Sequence, residues 1–238
     1  MTQAIFITGA ASGMGRATAL LFAARGWFVG AFDVDEAGLD SLRGELDAGR
    51  SLVQRLDVTD RDAFRAALAA FGEAGGGRLD ILFNNAGISR RGHFDTQPFE
   101  HYAAMVQVNI MGVLNGVYEA VPLLKATPNS LCFTTSSSST TFGMPGIAVY
   151  SATKHALRGL TEALSIEFRD LGIRVADVLP GVVATPMLAA ISTRLLEADP
   201  PPIARGFQDA LVDTLVEKTA RAARLRDRRR VVLGGGGA

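Results

Sequence analysis

The chain has 238 residues, enough to bury a sizeable core as one large α/β domain. Lys+Arg and Asp+Glu both number 24, so the overall charge favours neither nucleic acid nor an anionic membrane surface. Hydrophobic residues make up 48% and charged residues 20%, the balance of a soluble globular protein, and the single cysteine, Cys132, excludes an intramolecular disulfide. A reducing, cytoplasmic setting is expected, with no membrane span and no leader before the first strand pattern.

Short β-rich runs alternate with longer helical patterns along the chain. Strands are predicted over 4–8, 28–33, 51–56, 81–84, 130–135, 175–179 and 231–233. Helical patterns lie between them near 14–25, 36–48, 60–74, 99–125, 149–171 and 205–226. Runs that are apolar throughout, rather than alternating, predict burial on both faces of a parallel sheet. The alternation of strand and helix then gives right-handed crossovers and a doubly wound α/β fold of about seven strands with helices on both faces. No linker divides the chain, so a single domain over 1–238 is expected.

The first strand runs into Thr8-Gly9-Ala10-Ala11-Ser12-Gly13-Met14-Gly15, which opens the first helix. Gly9 suits a tight turn, Gly13 lets backbone approach a pyrophosphate, and Gly15 permits close helix–strand packing. The helix N-terminus offers unpaired N–H groups and a positive dipole end to phosphate. The second strand ends at Asp33, whose carboxylate suits two ribose hydroxyls and repels a 2′-phosphate, so NAD(H) is preferred and NADP(H) not excluded. Asp35 competes for that role or for a cap, and Arg16 beside the turn suits either cofactor. Asp57-Val58 follows the third strand, where adenine would lie; a cap for the helix starting near Asp60 explains Asp57 equally well.

Cys132 falls inside an apolar strand and is expected to be buried and inert. After that strand comes the serine run 136–139, then Tyr150 and Lys154, four residues apart on one helical face. An ammonium beside a phenol favours phenolate and lowers the tyrosine pKa, which suits proton transfer to or from a carbonyl or alcohol oxygen. Taken alone, the pair fits an exposed helix pair as well.

Together these features resemble the short-chain dehydrogenase/reductase family. The resemblance covers residues from about 4 to 187. It rests on Gly9, Gly13 and Gly15, on Asn84-Asn85-Ala86-Gly87, on Asn109-Ile110-Met111-Gly112, on Tyr150-x-x-x-Lys154 and on Pro180-Gly181. It implies a Rossmann-type fold and hydride transfer between a nicotinamide and a small carbonyl or secondary alcohol substrate. Tyr150 would be the general acid or base, Lys154 its helper, and Ser137, thirteen residues before the tyrosine, the anchor for the substrate oxygen. Ser138 would face away if the chain is still extended there. Asn109 would support a relay water, a helix-interior asparagine bonding its own backbone being the alternative. The implied cofactor set is Gly9, Ser12, Gly13, Met14, Gly15, Asp33, Asp57, Val58, Asn85, Ala86, Gly87, Pro180, Gly181, Val183 and Thr185, with Tyr150 and Lys154; no metal ligand is assigned.

Residues 186–208 would form a variable substrate lid, with Met187 and Ile191 on one wall and Phe142, Met144 and Ile147 opposite. Ser139 is a further substrate candidate. An apolar ketone or alcohol is expected, although packing of the lid onto the domain explains these side chains equally well. Arg90, Arg91 and His93 fit a solvated loop better than a substrate carboxylate. The arginines from 221 to 230 are taken as a solvated helix end, not a nucleic-acid surface. A homodimer through 99–125 and 149–171 is expected, a tetramer being possible. A cofactor-binding sensor without turnover is the alternative function.

Overall fold

The computed structural model describes residues 2–181, 183, 185 and 187. Runs rich in branched and aromatic residues form β1 (Ala4–Thr8), β2 (Phe28–Asp33), β3 (Ser51–Arg55), β4 (Ile81–Asn84), β5 (Leu131–Thr135) and β6 (Arg174–Val178). They make one parallel sheet in the order β3-β2-β1-β4-β5-β6. The chain winds outward from β1 to β3, then returns beside β1 at β4 and winds the other way. That reversal opens a crevice at the carboxyl ends of β1 and β4, the place where such sheets take ligands.

The helices are α1 (Gly13–Ala24), α2 (Glu36–Arg43), α3 (Arg61–Ala74), α4 (Phe99–Val106), α5 (Gly112–Ala126) and α6 (Ala148–Glu167). Alternate residues of β1 serve opposite faces of the sheet. Phe6 packs with Phe64 and Phe71 of α3, Val117 of α5 and Leu157 of α6. Ile5 and Ile7 pack with Phe22 of α1 and Leu42 of α2. Phe6 stacks on Phe32 with ring centroids 4.0 Å apart and meets Phe71 edge-on at 5.4 Å, so three elements interlock around one strand.

Several expectations change in detail. β3 is not buried throughout: it is the sheet edge, and Gln54 and Arg55 are exposed. The helix expected over 36–48 ends at Arg43, where Gly44 follows. The rod expected over 99–125 is α4 and α5 joined by a π turn at Gln107–Met111. α6 tightens into a 3₁₀ turn at Phe168–Leu171, closed by Gly172 at φ 72°. Six strands are present among the described residues; the seventh, the helix expected over 205–226 and most of the lid lie outside them. Among the described residues no helix is long and apolar enough to cross a membrane.

Candidate active site

The connection from β1 to α1 has Gly9 at φ 68° and Gly13 at φ 53°, conformations that a side chain disfavours. A Cβ on Gly15 would lie 2.0 Å from the Gly9 carbonyl oxygen, so the helix sits directly on the turn. Ser12 precedes the helix without capping it, and no acidic residue occupies the first turn of α1. Unpaired N–H groups and the dipole's positive end therefore face the crevice with no competing carboxylate, a cradle that fits a dinucleotide's phosphates.

Asp33 closes one side of this cradle. Its Oδ2 accepts the Ala11 N–H at 3.0 Å and its Oδ1 accepts the Val34 N–H at 2.7 Å, which fixes the carboxylate beside the glycine turn. Asp35 takes the other role open to it and caps α2 through the Gly38 N–H at 3.1 Å. Arg16 ties the turn to α2: it donates to the Gly38 carbonyl at 3.1 Å, to Ser41 Oγ at 2.9 Å and to the Ala11 carbonyl at 3.5 Å, and pairs with Glu45. Asp57 accepts from the Thr59 N–H and hydroxyl, while Asp60 itself caps α3, so the cap reading of Asp57 does not hold. A cleft of about 270 Å³ is lined by Gly9, Ser12, Gly13, Met14, Asp33, Asp57, Val58, Asn85, Ala86 and Gly87, with Thr185 and Met187 at its end.

Asn85 locks the crevice. Its Nδ2 donates to the Thr8 and Gly9 carbonyls at 3.1 and 3.2 Å, and its Oδ1 accepts from the Thr135 hydroxyl at 3.1 Å. One amide thus holds the ends of β1, β4 and β5 together.

A second cleft of about 280 Å³ adjoins the first through Met14, Asn85, Gly87, Thr185 and Met187. It is lined by Ser137, Ser138, Ser139, Met144, Ile147, Tyr150, Lys154, Pro180, Gly181 and Val183. The chain leaves β5 extended at Ser137 and then coils into a 3₁₀ turn over Ser138–Thr140. Because it is no longer extended, Ser138 lines the cleft as well instead of facing away. Ser137 Oγ accepts the Ser139 N–H at 3.1 Å, which leaves the Ser137 proton to be donated outward. Ser139 Oγ is buried with no hydrogen-bond partner among the described residues.

Burial raises the Tyr150 pKa, and a hydrogen bond from Ser137 opposes the rise. Lys154 is buried, and desolvation pushes its ammonium down to about 8. Its Nζ donates to the Thr135 carbonyl at 2.8 Å and stands 5.7 Å from the Tyr150 ring centroid. Ser137 thus acts to lower the phenol, and the Lys154 ammonium is held on a strand carbonyl beside it. Asn109, fully buried in the π turn, does not bond its own helix. Its Oδ1 accepts the Ile88 N–H at 2.8 Å, and its Nδ2 donates to the Ile88 carbonyl at 2.9 Å and to Thr153 Oγ1 at 3.1 Å.

Phe142 is exposed and lies off the cleft wall, whereas Pro145 lies on it. Met187 lines both clefts; Ile191 lies outside the described residues. Sequence patterns missed Thr135, which holds both Asn85 and Lys154; its place as the last residue of β5 before the serines was the available signal. They also missed Ile88 and Val108 in the first cleft, since plain aliphatic residues carry no chemical signature.

A doubly wound sheet with a phosphate cradle, continuous with a Ser–Tyr–Lys cleft, defines a dinucleotide-dependent oxidoreductase. The chain belongs to the short chain dehydrogenase family, whose sequence profile it matches over residues 3–195. It is 37% identical over 193 residues to 3-oxoacyl-[acyl-carrier-protein] reductase FabG of Thermotoga maritima, covering 80% of this chain and 78% of that one. It is 38% identical over 193 residues to 2,5-dichloro-2,5-cyclohexadiene-1,4-diol dehydrogenase LinX of Sphingobium indicum, covering 80% and 77%. Among solved structures, 3-ketoacyl-(acyl-carrier-protein) reductase from Brucella melitensis, complexed with NADH, superposes with TM-score 0.81 at 27% identity, covering 97% and 95%. The chain is an enzyme that transfers hydride between a nicotinamide and an alcohol or carbonyl carbon.

Proposed function

We propose that this enzyme uses NAD(H) to interconvert a secondary alcohol and a ketone with an apolar body, with Tyr150 as the proton-transfer residue. The observation that carries the reading is the convergence of Ser137, Tyr150 and buried Lys154 on one cleft, continuous with the phosphate cradle. When bound, the nicotinamide supplies or accepts the hydride. In the reducing direction Ser137 donates to the substrate oxygen, and Tyr150 delivers the proton that converts that oxygen to a hydroxyl. In the oxidising direction Tyr150 takes that proton back. Lys154 keeps a cation near the phenol and, through the Thr135 carbonyl, a fixed position relative to the sheet. Asn109 holds the Ile88 segment and Thr153, and would support a water that connects Lys154 to solvent.

Three observations support NAD(H) over NADP(H): Asp33 held at the cradle, Arg16 engaged by α2 and Glu45, and NADH in the Brucella melitensis protein. Pro180, Gly181, Val183 and Thr185 would cover and orient the nicotinamide; positioning of this kind is worth roughly 7–11 kcal/mol at the extreme. Met144, Pro145, Ile147 and Val183 support an apolar substrate body, as does the ring named for the Sphingobium relative. Exposed Phe99, Val106, Met111 and Tyr118 along α4 and α5 support a homodimer through those helices, and the lone reduced cysteine supports a cytoplasmic setting.

Tyr150→Phe tests the central claim. NADH binding is expected to persist by calorimetry, while turnover on a ketone panel falls roughly 10²–10⁴-fold. Unchanged turnover removes Tyr150 from the chemistry.

A further inference from the structure

The substrate cleft carries two cationic side chains among its described lining, Lys154 and Arg91, and no carboxylate. Lys154 is buried and given to the Thr135 carbonyl. Arg91 is exposed at the rim, near Ser89, Met144 and Pro145, and forms no ion pair among the described residues. Neighbouring Arg90 turns back to the Ser89 carbonyl at 3.0 Å and is not part of the wall.

The placement of Arg91 is built rather than incidental. The Gly92 N–H donates to the Gly146 carbonyl at 2.9 Å, joining the loop after β4 to the loop before α6. Gly146 adopts φ 81°, and a Cβ there would meet Arg91 Cγ and Nε at 3.9 Å. The arginine stem therefore lies beside that backbone, in a lining shared with Met144, Pro145, Ile147 and Tyr150. A guanidinium in an apolar lining recognises an amphiphilic anion, and its planar fork matches a carboxylate.

We propose that Arg91 is a specificity-determining residue that binds a carboxylate carried by the substrate at the end remote from the reacting carbon. The substrate class is then a hydroxy or keto acid with an apolar body. This deepens the proposed function and rests on its assignment of the substrate cleft.

The test uses binding, so that it does not depend on turnover. Calorimetry of the enzyme–NADH complex compares cyclohexanecarboxylate with cyclohexanecarboxamide, which has a similar shape but no charge. The carboxylate is expected to bind about 10-fold tighter or more, a preference that shrinks as salt rises because Arg91 is at the rim. Arg91→Met is expected to abolish the preference while leaving amide affinity unmoved, and Arg91→Lys to restore part of it. Equal affinities in the wild type, no binding of either compound, or a preference that survives Arg91→Met overturns the proposal. Ketone reduction that depends on Tyr150 would still stand in each of those cases.

Discussion

Lys154 is an ammonium removed from water, with burial moving it down to about 8, while a lysine in an unfolded chain titrates near 10.4. Its folded pKa is depressed, so between about pH 8 and 10 the unfolded chain holds more protons and the contribution to stability rises with pH. Below that window the whole burden of burying the charge is present, about 3 kcal/mol. Denaturant unfolding of wild type and Lys154→Met should show the difference shifting in favour of wild type as pH rises from 7 to 10. A difference that does not move with pH contradicts the assignment. Ser137 has the opposite sense: its hydrogen bond favours phenolate, so Ser137→Ala should raise the Tyr150 pKa further. The rising limb of the pH profile for alcohol oxidation should then move to higher pH, in addition to a loss of turnover. An unmoved limb means Ser137 does not tune the phenol. Tyr150 and Lys154 were legible in the sequence because one helical turn fixes their separation. Arg91 was not, because its place is set across two loops more than fifty residues apart, by the Gly92–Gly146 hydrogen bond.

At the scale of elements, the turn between β1 and α1 is the least forgiving. A methyl group on Gly15 would press against the Gly9 carbonyl and against Asn85 Nδ2, 2.0 and 2.8 Å away. Gly15→Ala is expected to lower stability by about 1–3 kcal/mol through overpacking and to weaken NADH binding at least 10-fold. Wild-type affinity in that variant would show the turn can relax without consequence. This turn was visible in the sequence because glycine spacing directly reports where backbone must approach backbone. The π turn between α4 and α5 was not visible, since one extra residue in a helical circuit leaves almost no trace in hydrophobic periodicity. Its result is nonetheless central: it sits where Asn109 reaches across to Ile88 and Thr153. The exposed character of β3 was equally hidden, because being an edge is a property of strand order and not of the strand's own residues.

Over the whole molecule, the sole sulfhydryl lies inside the sheet, on β5 between β4 and β6. Cys132 is fully buried on β5, opposite Leu82 on one side and Val175 on the other, and burial pushes its thiol up to about 12. No alkylating reagent can reach it until β5 parts from its neighbours, and even a modest exposure leaves a poorly nucleophilic thiol at neutral pH. The native protein is thus expected to tolerate oxidants that disable enzymes with surface thiols, and iodoacetamide capture becomes a clock for the parting of β5 from β4 and β6. Adding NADH should slow that clock in proportion to ligand concentration above Kd, since only the closed sheet presents the crevice.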